Sequence, residues 1–359
     1  MRSALILGGT GAIGRATAQR LLAAGWDVEV TGRDPTHLPS ALAAAGVRFT
    51  HAPSPGANLV VDCICFTAVD AASLLDFARD ADSTVMVSSK AVYVDEHGNH
   101  SNSPVKPRFA RAIVESQPTM PPGSGNYETA EGYGANKVAA ERTLLDSGLP
   151  VTILRPSKIH GSGSRQPREW VFVKRVLDRR PAVFLARRGE SVDHPTAAAN
   201  IATLVELAAS NPGARILNAA DPDAPSALEI ARVVARRLGY DWTEVLLDDD
   251  GPLGRHPWQT DHPIVLDTSA AHALGYRPAG SYEETVAEEI DWLVDAAYVT
   301  RPCCRVTTTN TSHATSRTPR KTCTCSCTHE CSALSTETPT TIVATPATWM
   351  RASRSRNTM

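Results

Sequence analysis

In the stretch EGYGANKVAAE, Tyr133 and Lys137 stand four residues apart where a helix is expected to begin. Side chains at that spacing share one helix face. A phenol and an ammonium aimed at one object can serve a reacting substrate and its cofactor, or they can be neighbouring core. A second stretch, LILGGTGAIGR, places Gly8, Gly11 and Gly14 at the spacing Gly-x-x-Gly-x-x-Gly, directly after a strand and opening a helix. Glycines are needed where the turn is tight and where backbone must approach a pyrophosphate. The helix N-terminus then offers free N–H groups and a positive dipole end to the phosphates. The turn formed by Gly8, Thr10, Gly11, Ala12, Ile13 and Gly14 is therefore read as a dinucleotide site. The next strand ends in TGRDP, and Arg33 stands where NAD enzymes of this kind usually place a carboxylate for the ribose hydroxyls. An arginine there can pair with a 2′-phosphate. NADP is the expected cofactor, and Asp34, able to reach the ribose, keeps NAD open.

The elements that must position these residues alternate. Strands are expected over 4–9, 27–32, 47–50, 59–68, 84–89 and 151–156, each rich in β-branched residues without the alternation of a half-wet strand. Such runs suit a parallel sheet covered on both faces. Helical runs such as RATAQRLLAAG lie between them, with Gly25 as a C-terminal stop. The pattern predicts an α/β fold with a doubly wound parallel (Rossmann) sheet over 1–165 and a smaller, mainly substrate-binding α/β portion over 166–298. Cys63 and Cys65 read as core of the fourth strand. Only a short, Pro- and Gly-containing link, 51–58, joins the third and fourth strands. A parallel crossover normally takes a dozen residues or more; this link can span the gap extended but cannot also form a helix, so one sheet face is expected to be under-covered.

Composition sets the outer bounds. The chain has 359 residues, 42% hydrophobic and 21% charged, with a net charge of −2. That balance gives no electrostatic case for nucleic acid, and no run approaches the ~18 apolar residues that cross a bilayer. A first strand beginning at Ala4 leaves no room for a signal peptide, so a cytoplasmic, soluble protein is expected. Residues 299–359 differ: six of the eight cysteines lie there, with eight of the 36 Lys and Arg but two of the 38 Asp and Glu. A Thr/Ser/Cys-rich segment so poor in large apolar residues is expected to be disordered. Its CTCSCTHEC cluster matches no standard zinc spacing, so no metal is expected.

The glycine turn, SSKAVY (88–93), YGANK (133–137), ILRPSKIHG (153–161) and the closing stretch 266–293 together resemble the extended short-chain dehydrogenase/reductase superfamily, the NAD(P)-dependent epimerase/dehydratase family. The resemblance spans about 3–298. It implies that Tyr133 is the general acid/base and that Lys137 favours its phenolate and bonds the nicotinamide ribose. It also implies that Ser89, three residues before the Val of VY, holds the reacting oxygen, and that Pro156 positions the nicotinamide amide. Family dehydratases carry Asp-Glu after the catalytic Thr; Lys90-Ala91 here argues for a reductase or epimerase acting on a small, polar substrate, sugar nucleotides included. Lys158, His160, Arg165, Arg168, Asp193 and His194 form a basic substrate-side set suited to a phosphorylated or carboxylated ligand. The long segment 95–132 is expected to form part of a substrate lid. The family's usual adenine-bonding Asp after the third strand is missing, and homodimerisation is common in the superfamily. Part of the second half is also similar to the plastid stem-loop RNA-binding branch, which lacks the Tyr/Lys pair. The alternative is a non-catalytic Rossmann-fold protein binding RNA or a regulatory partner.

Overall fold

The computed structural model describes residues 2–300. The disorder expected of the tail, apart from its first two residues, falls outside the described residues. Met1–Val294 form one compact unit; of a second unit, Asp295–Met359, only the end of a helix is described.

In chain order the first half runs β1 (Ser3–Leu7), α1 (Ala12–Ala23), β2 (Asp27–Thr31), α2 (Ser40–Ala44), β3 (Arg48–Thr50), β4 (Leu59–Asp62), α3 (Ala68–Ala78), β5 (Ser83–Val87), α4 (Ala130–Leu145) and β6 (Val151–Pro156). The second half continues with β7 (Lys158–His160), α5 (Trp170–Leu177), β8 (Ala182–Leu185), β9 (Pro195–Ala197), α6 (Ala198–Ser210), β10 (Arg215–Ala219), α7 (Ala227–Arg237), β11 (Thr243–Leu246), α8 (Ser269–Ala273) and α9 (Tyr282–Thr300). Seven strands form one parallel sheet in the order β10-β6-β5-β4-β1-β2-β3. This is the doubly wound sheet expected, with β10 entering it from the second half of the chain.

Alternate residues of the central strands face opposite layers. Leu59 and Val61 of β4 pack with Val85 and Val87 of β5 against α1 and α6, through Ala18, Leu21, Ile201 and Leu204. Val60 and Met86 point the other way, onto Leu74 of α3 and Ala140 and Leu144 of α4. Gly25 closes α1 at a φ of +80°, and Trp26 N–H bonds back to the Leu21 carbonyl, as a glycine-terminated helix requires.

Two expectations need correction. The fourth strand ends at Asp62, not at 68. Asp62 Oδ1 accepts from Ile64 N–H at 2.7 Å and turns the chain, while Thr67 and Asp70 cap α3 reciprocally. Cys63 and Cys65 thus lie past the strand; Cys65 is buried, Cys63 half-buried, and burial pushes both thiols up to about 12. Second, β2 is a half-wet strand: Val28 and Val30 are buried, whereas Asp27 and Glu29 face outward and pair with Arg48 of β3. Residues 51–58 form no helix, as expected, and the polar outer face of β2 and β3 needs none.

Candidate active site

The glycine turn lies between β1 and α1. Gly8 takes a φ of +81°. A Cβ at Gly14 would collide with the backbone of Gly9 and lie 2.6 Å from the Gly8 carbonyl oxygen, so only glycine lets α1 start this close to the turn. Gly11 caps α1 with no side-chain hydrogen bond, and the nearest atom to where its Cβ would be is the Gly8 carbonyl oxygen, at 3.7 Å. The N–H groups of Ala12, Ile13 and Gly14 open α1 without a side-chain acceptor, the arrangement that receives a phosphate. Thr10 Oγ1 lies against Gly32, and the Thr10 carbonyl accepts from Arg15 Nε at 2.8 Å. Ile64, 50% exposed at the end of β4, supplies an apolar surface beside Gly8. Arg33 is exposed with its guanidinium available, whereas Asp34 is engaged by the amide and hydroxyl of Thr36, at 2.8 and 2.7 Å. Those bonds hold the Asp34 carboxyl below the usual carboxylate range.

Tyr133, Lys137 and Glu141 fall on one face of α4, directed at the C-terminal ends of β4 and β5. Lys137 is buried. Its Nζ donates to the carbonyls of Cys65 at 2.7 Å and Val87 at 2.9 Å and lies 4.5 Å from the centre of the Phe66 ring. Phe66 stacks on Tyr127 and stands 6.5 Å, centre to centre, from the Tyr133 ring. One position beyond Tyr133, a Cβ at Gly134 would lie 2.6 Å from the Ala91 carbonyl oxygen. Glycine therefore lets α4 press against the 3-10 turn Lys90–Val92, which Ser89 caps by accepting from Ala91 N–H at 3.1 Å. Ser89, Tyr133 and Lys137 are thus carried by touching elements. Pro156 ends β6, buried and in register with Ala219. The segment 95–132 is pinned down: Asp95 accepts from the amides of His97, Asn99 and Arg108, and Ile113 N–H bonds the Val265 carbonyl.

The substrate-side set divides. Lys158 and Asp193 meet Lys90, while Arg168 donates to the Ile159 carbonyl at 3.0 Å nearby. The two histidines are structural instead. His160 Nε2 lies 2.8 Å from Asp221 Oδ2; burial disfavours its charge, but Asp221 outweighs that and raises its pKa. His194 accepts from Leu266 N–H through Nδ1 and so donates through Nε2 to the Asp221 carbonyl; burial lowers its pKa. Arg165 is exposed. Among the described residues no group of His, Cys, Asp or Glu is arranged to hold a metal ion.

Sequence reasoning missed two buried polar groups. Glu141 accepts from Ser88 Oγ and from Arg155 through Nε at 3.0 Å and Nη2 at 2.5 Å. Its spacing from Lys137, one turn on, is a signal that was available in the sequence. The second is a pair of carboxyls, Glu169 and Glu289. Tyr282 O–H donates to Glu169 and Gly161 N–H to Glu289, leaving Glu169 Oε2 and Glu289 Oε1 buried without a partner, an arrangement in which a proton on Glu289 would be shared with Glu169. Burial and then the Glu169 charge push Glu289 up to about 9. Its folded pKa exceeds its unfolded one, so its stabilisation is complete below the ordinary Glu range and is lost as pH rises toward 9. Glu289→Gln keeps both hydrogen bonds without the proton. Its unfolding free energy is expected to match the parent's near pH 5 and exceed it increasingly up to pH 9, by about 1.4 kcal/mol per pH unit at most; parallel curves over that range would refute the shared proton.

The fold and site define a dinucleotide-binding α/β protein with a Tyr/Lys helix at the ends of the central strands. The sequence profile of the NAD dependent epimerase/dehydratase family matches residues 4–192, and the chain belongs to that family of NAD-dependent enzymes. No curated protein sequence matches the chain. Among solved structures it is similar to MoeE5 in complex with UDP-glucose and NAD, at 18% identity and a TM-score of 0.60, covering 82% of this chain and 99% of that one. It is also similar to the UDP-glucose 4-epimerase of Thermus thermophilus in complex with NAD, at 19% identity and a TM-score of 0.58, with the same coverage. The dTDP-glucose 4,6-dehydratase of Bacillus anthracis in complex with NAD gives 13% identity and a TM-score of 0.63, covering 84% and 99%. No helix among the described residues is long and apolar enough to cross a membrane.

Proposed function

We propose that the protein is an NADP-preferring reductase or epimerase acting at a hydroxyl or carbonyl carbon of a small polar substrate, through Ser89, Tyr133 and Lys137. The observation that carries this is the α4 face: Lys137 is fixed between the ends of β4 and β5, one turn from Tyr133, while Gly134 brings the helix onto the Ser89 turn. Tyr133 gives or takes the proton on the substrate oxygen. Ser89, whose own oxygen accepts from Ala91 N–H, keeps its O–H free to donate to that oxygen and steady its charge. Lys137, with two of its three N–H bonds spent on carbonyls, retains one for the reacting side. The glycine turn and the first turn of α1 would hold the pyrophosphate, Ile64 would lie against apolar parts of the nucleotide, and Pro156 would flank the nicotinamide. When bound, the dinucleotide supplies or accepts the hydride. Sugar nucleotides, represented by the UDP-glucose held in the similar MoeE5 structure, are one substrate class; small carbonyl acids are the other.

The coenzyme preference rests on Arg33 being available while Asp34 is occupied. Arg33→Ala is expected to weaken NADPH binding by about tenfold, the loss of one charge-assisted contact, and to leave NADH binding unchanged. Equal weakening of both would refute a 2′-phosphate contact. Turnover is tested by incubating the full chain with reduced coenzyme and small carbonyl acids, and separately with oxidised coenzyme and a panel of UDP-sugars. Net coenzyme oxidation identifies a reductase, and sugar interconversion without net oxidation an epimerase. Neither, in protein that binds coenzyme, would sink the catalytic reading.

A further inference from the structure

The turn that carries Ser89 continues into Lys90, a lysine only 7% exposed. Its ammonium is paired with Asp193, and the other oxygen of Asp193 lies 3.1 Å from Nζ of Lys158, which also donates to the Pro257 carbonyl at 3.1 Å. Lys90 follows β5 and Lys158 opens β7 two residues after Pro156, so both stand at the crevice beyond the strand ends, where doubly wound sheets bind ligands. Lys158 remains partly open to solvent, with a side-chain exposure of 24%, so the cluster can be reached.

Charge around this cluster does not balance. Arg168 acts on both lysines, and Lys106, held by the Ser101 and Ser103 carbonyls, acts on Lys158. Against these four basic side chains stand Asp193 and the Glu169/Glu289 pair, in which burial and the Glu169 charge favour a protonated Glu289 and which faces Arg168 rather than the lysines. His256 adds nothing, because burial pushes it down to about 4 and keeps it neutral. Burial, then Lys158 and Arg168, push Lys90 well below its ordinary value; burial, then Arg168 and Lys106, push Lys158 down to about 7. Asp193 is the carboxylate that both lysines meet, and a single carboxylate cannot match two lysine head groups with six N–H bonds between them.

We propose that Lys90 and Lys158, bridged by Asp193, form a subsite for an anionic group of the substrate, a carboxylate or a phosphate monoester, adjoining the carbon that reacts at Ser89. The location at a substrate rests on the reductase or epimerase reading; the binding of an anion does not. Asp193 acts as an internal stand-in that holds the lysines apart and charged until the ligand anion shares them. The subsite favours a substrate with negative charge close to the reacting carbon over one whose only charge lies on a distant diphosphate.

The test is a titration of the full chain with inorganic phosphate and, separately, with malonate, read as the rise in melting temperature and by calorimetry, at saturating NADPH so that the glycine turn is filled. Saturable binding is expected for at least one anion, and the tighter one names the group. Lys158→Gln should weaken it by about tenfold, while Asp193→Asn, which removes the competing carboxylate, should tighten it several-fold. A purely structural triad predicts the opposite for Asp193→Asn: lower stability and no gain in affinity. No saturable binding to the parent or to Asp193→Asn, or binding indifferent to Lys158→Gln, would overturn the subsite. If NADPH binds and the anions do not, only the subsite falls. If the anions bind and NADPH does not, the enzyme reading falls while the anion site stands.

Discussion

Replacing Tyr133 with phenylalanine is expected to lower kcat/KM by about 10³-fold to 10⁴-fold while leaving coenzyme affinity within about twofold. A positioned acid/base contributes on the order of 10²–10⁴, and in the proposed reaction the same hydroxyl would also orient the substrate oxygen opposite Ser89. The ring contributes its packing beside Phe66, which phenylalanine retains, so the fold is not at stake. The measurement is single-turnover hydride transfer at saturating coenzyme, with the substrate that supports turnover. Lys137→Met separates the roles further. It removes an ammonium that bonds two carbonyls and covers the Phe66 ring, so it should cost coenzyme affinity as well as rate. A Tyr133→Phe protein with undiminished turnover would exclude the phenol from the chemistry.

Glu141→Ala is expected to be the most destabilising single change near the site, by about 3–5 kcal/mol, because it strands Arg155 in the interior. Arg155 has Glu141 as its ion-pair partner, lies over the Tyr93 ring at 4.8 Å and gains little elsewhere, with a 3.4 Å contact to the Glu115 carbonyl. Ser88 would lose its acceptor at the same time, and the strand end that presents Ser89 would loosen. Thermal unfolding checks the size of the effect. The double variant Glu141→Leu/Arg155→Leu should recover part of the loss, since replacing a buried pair by apolar side chains costs far less than breaking it. If the double variant is as unstable as the sum of the two singles, the pair is not the source of the cost.

Much of the frame could be read from residue order. The glycines of the first turn, the strand-helix alternation and the Tyr/Lys spacing each imply a physical need that local sequence states openly. What stayed hidden had competing local signals. Residues 59–68 read as one apolar strand because Cys63, Ile64, Cys65 and Phe66 continue the hydrophobic run. The Thr67–Asp70 capping box that starts α3 was visible and outweighs that run. The alternation of DVEVT was equally visible, and it explains how an edge of the sheet does without a covering helix. Partners distant in sequence were not legible: nothing local links Glu289 to Glu169, or Lys90 to Asp193, since the fold alone brings them together. For the same reason His160 and His194 looked like site residues, although Asp221 holds both in the interior.

The central claim is that the glycine turn and the Tyr133/Lys137 face together bind a reduced nicotinamide dinucleotide. Titrating the full chain with NADPH and with NADH, following nicotinamide fluorescence, tests it most directly. The account predicts saturable binding with enhanced fluorescence, tighter for NADPH, and lost when Gly14→Val closes the phosphate turn. A demonstrably folded protein that binds neither coenzyme would contradict it.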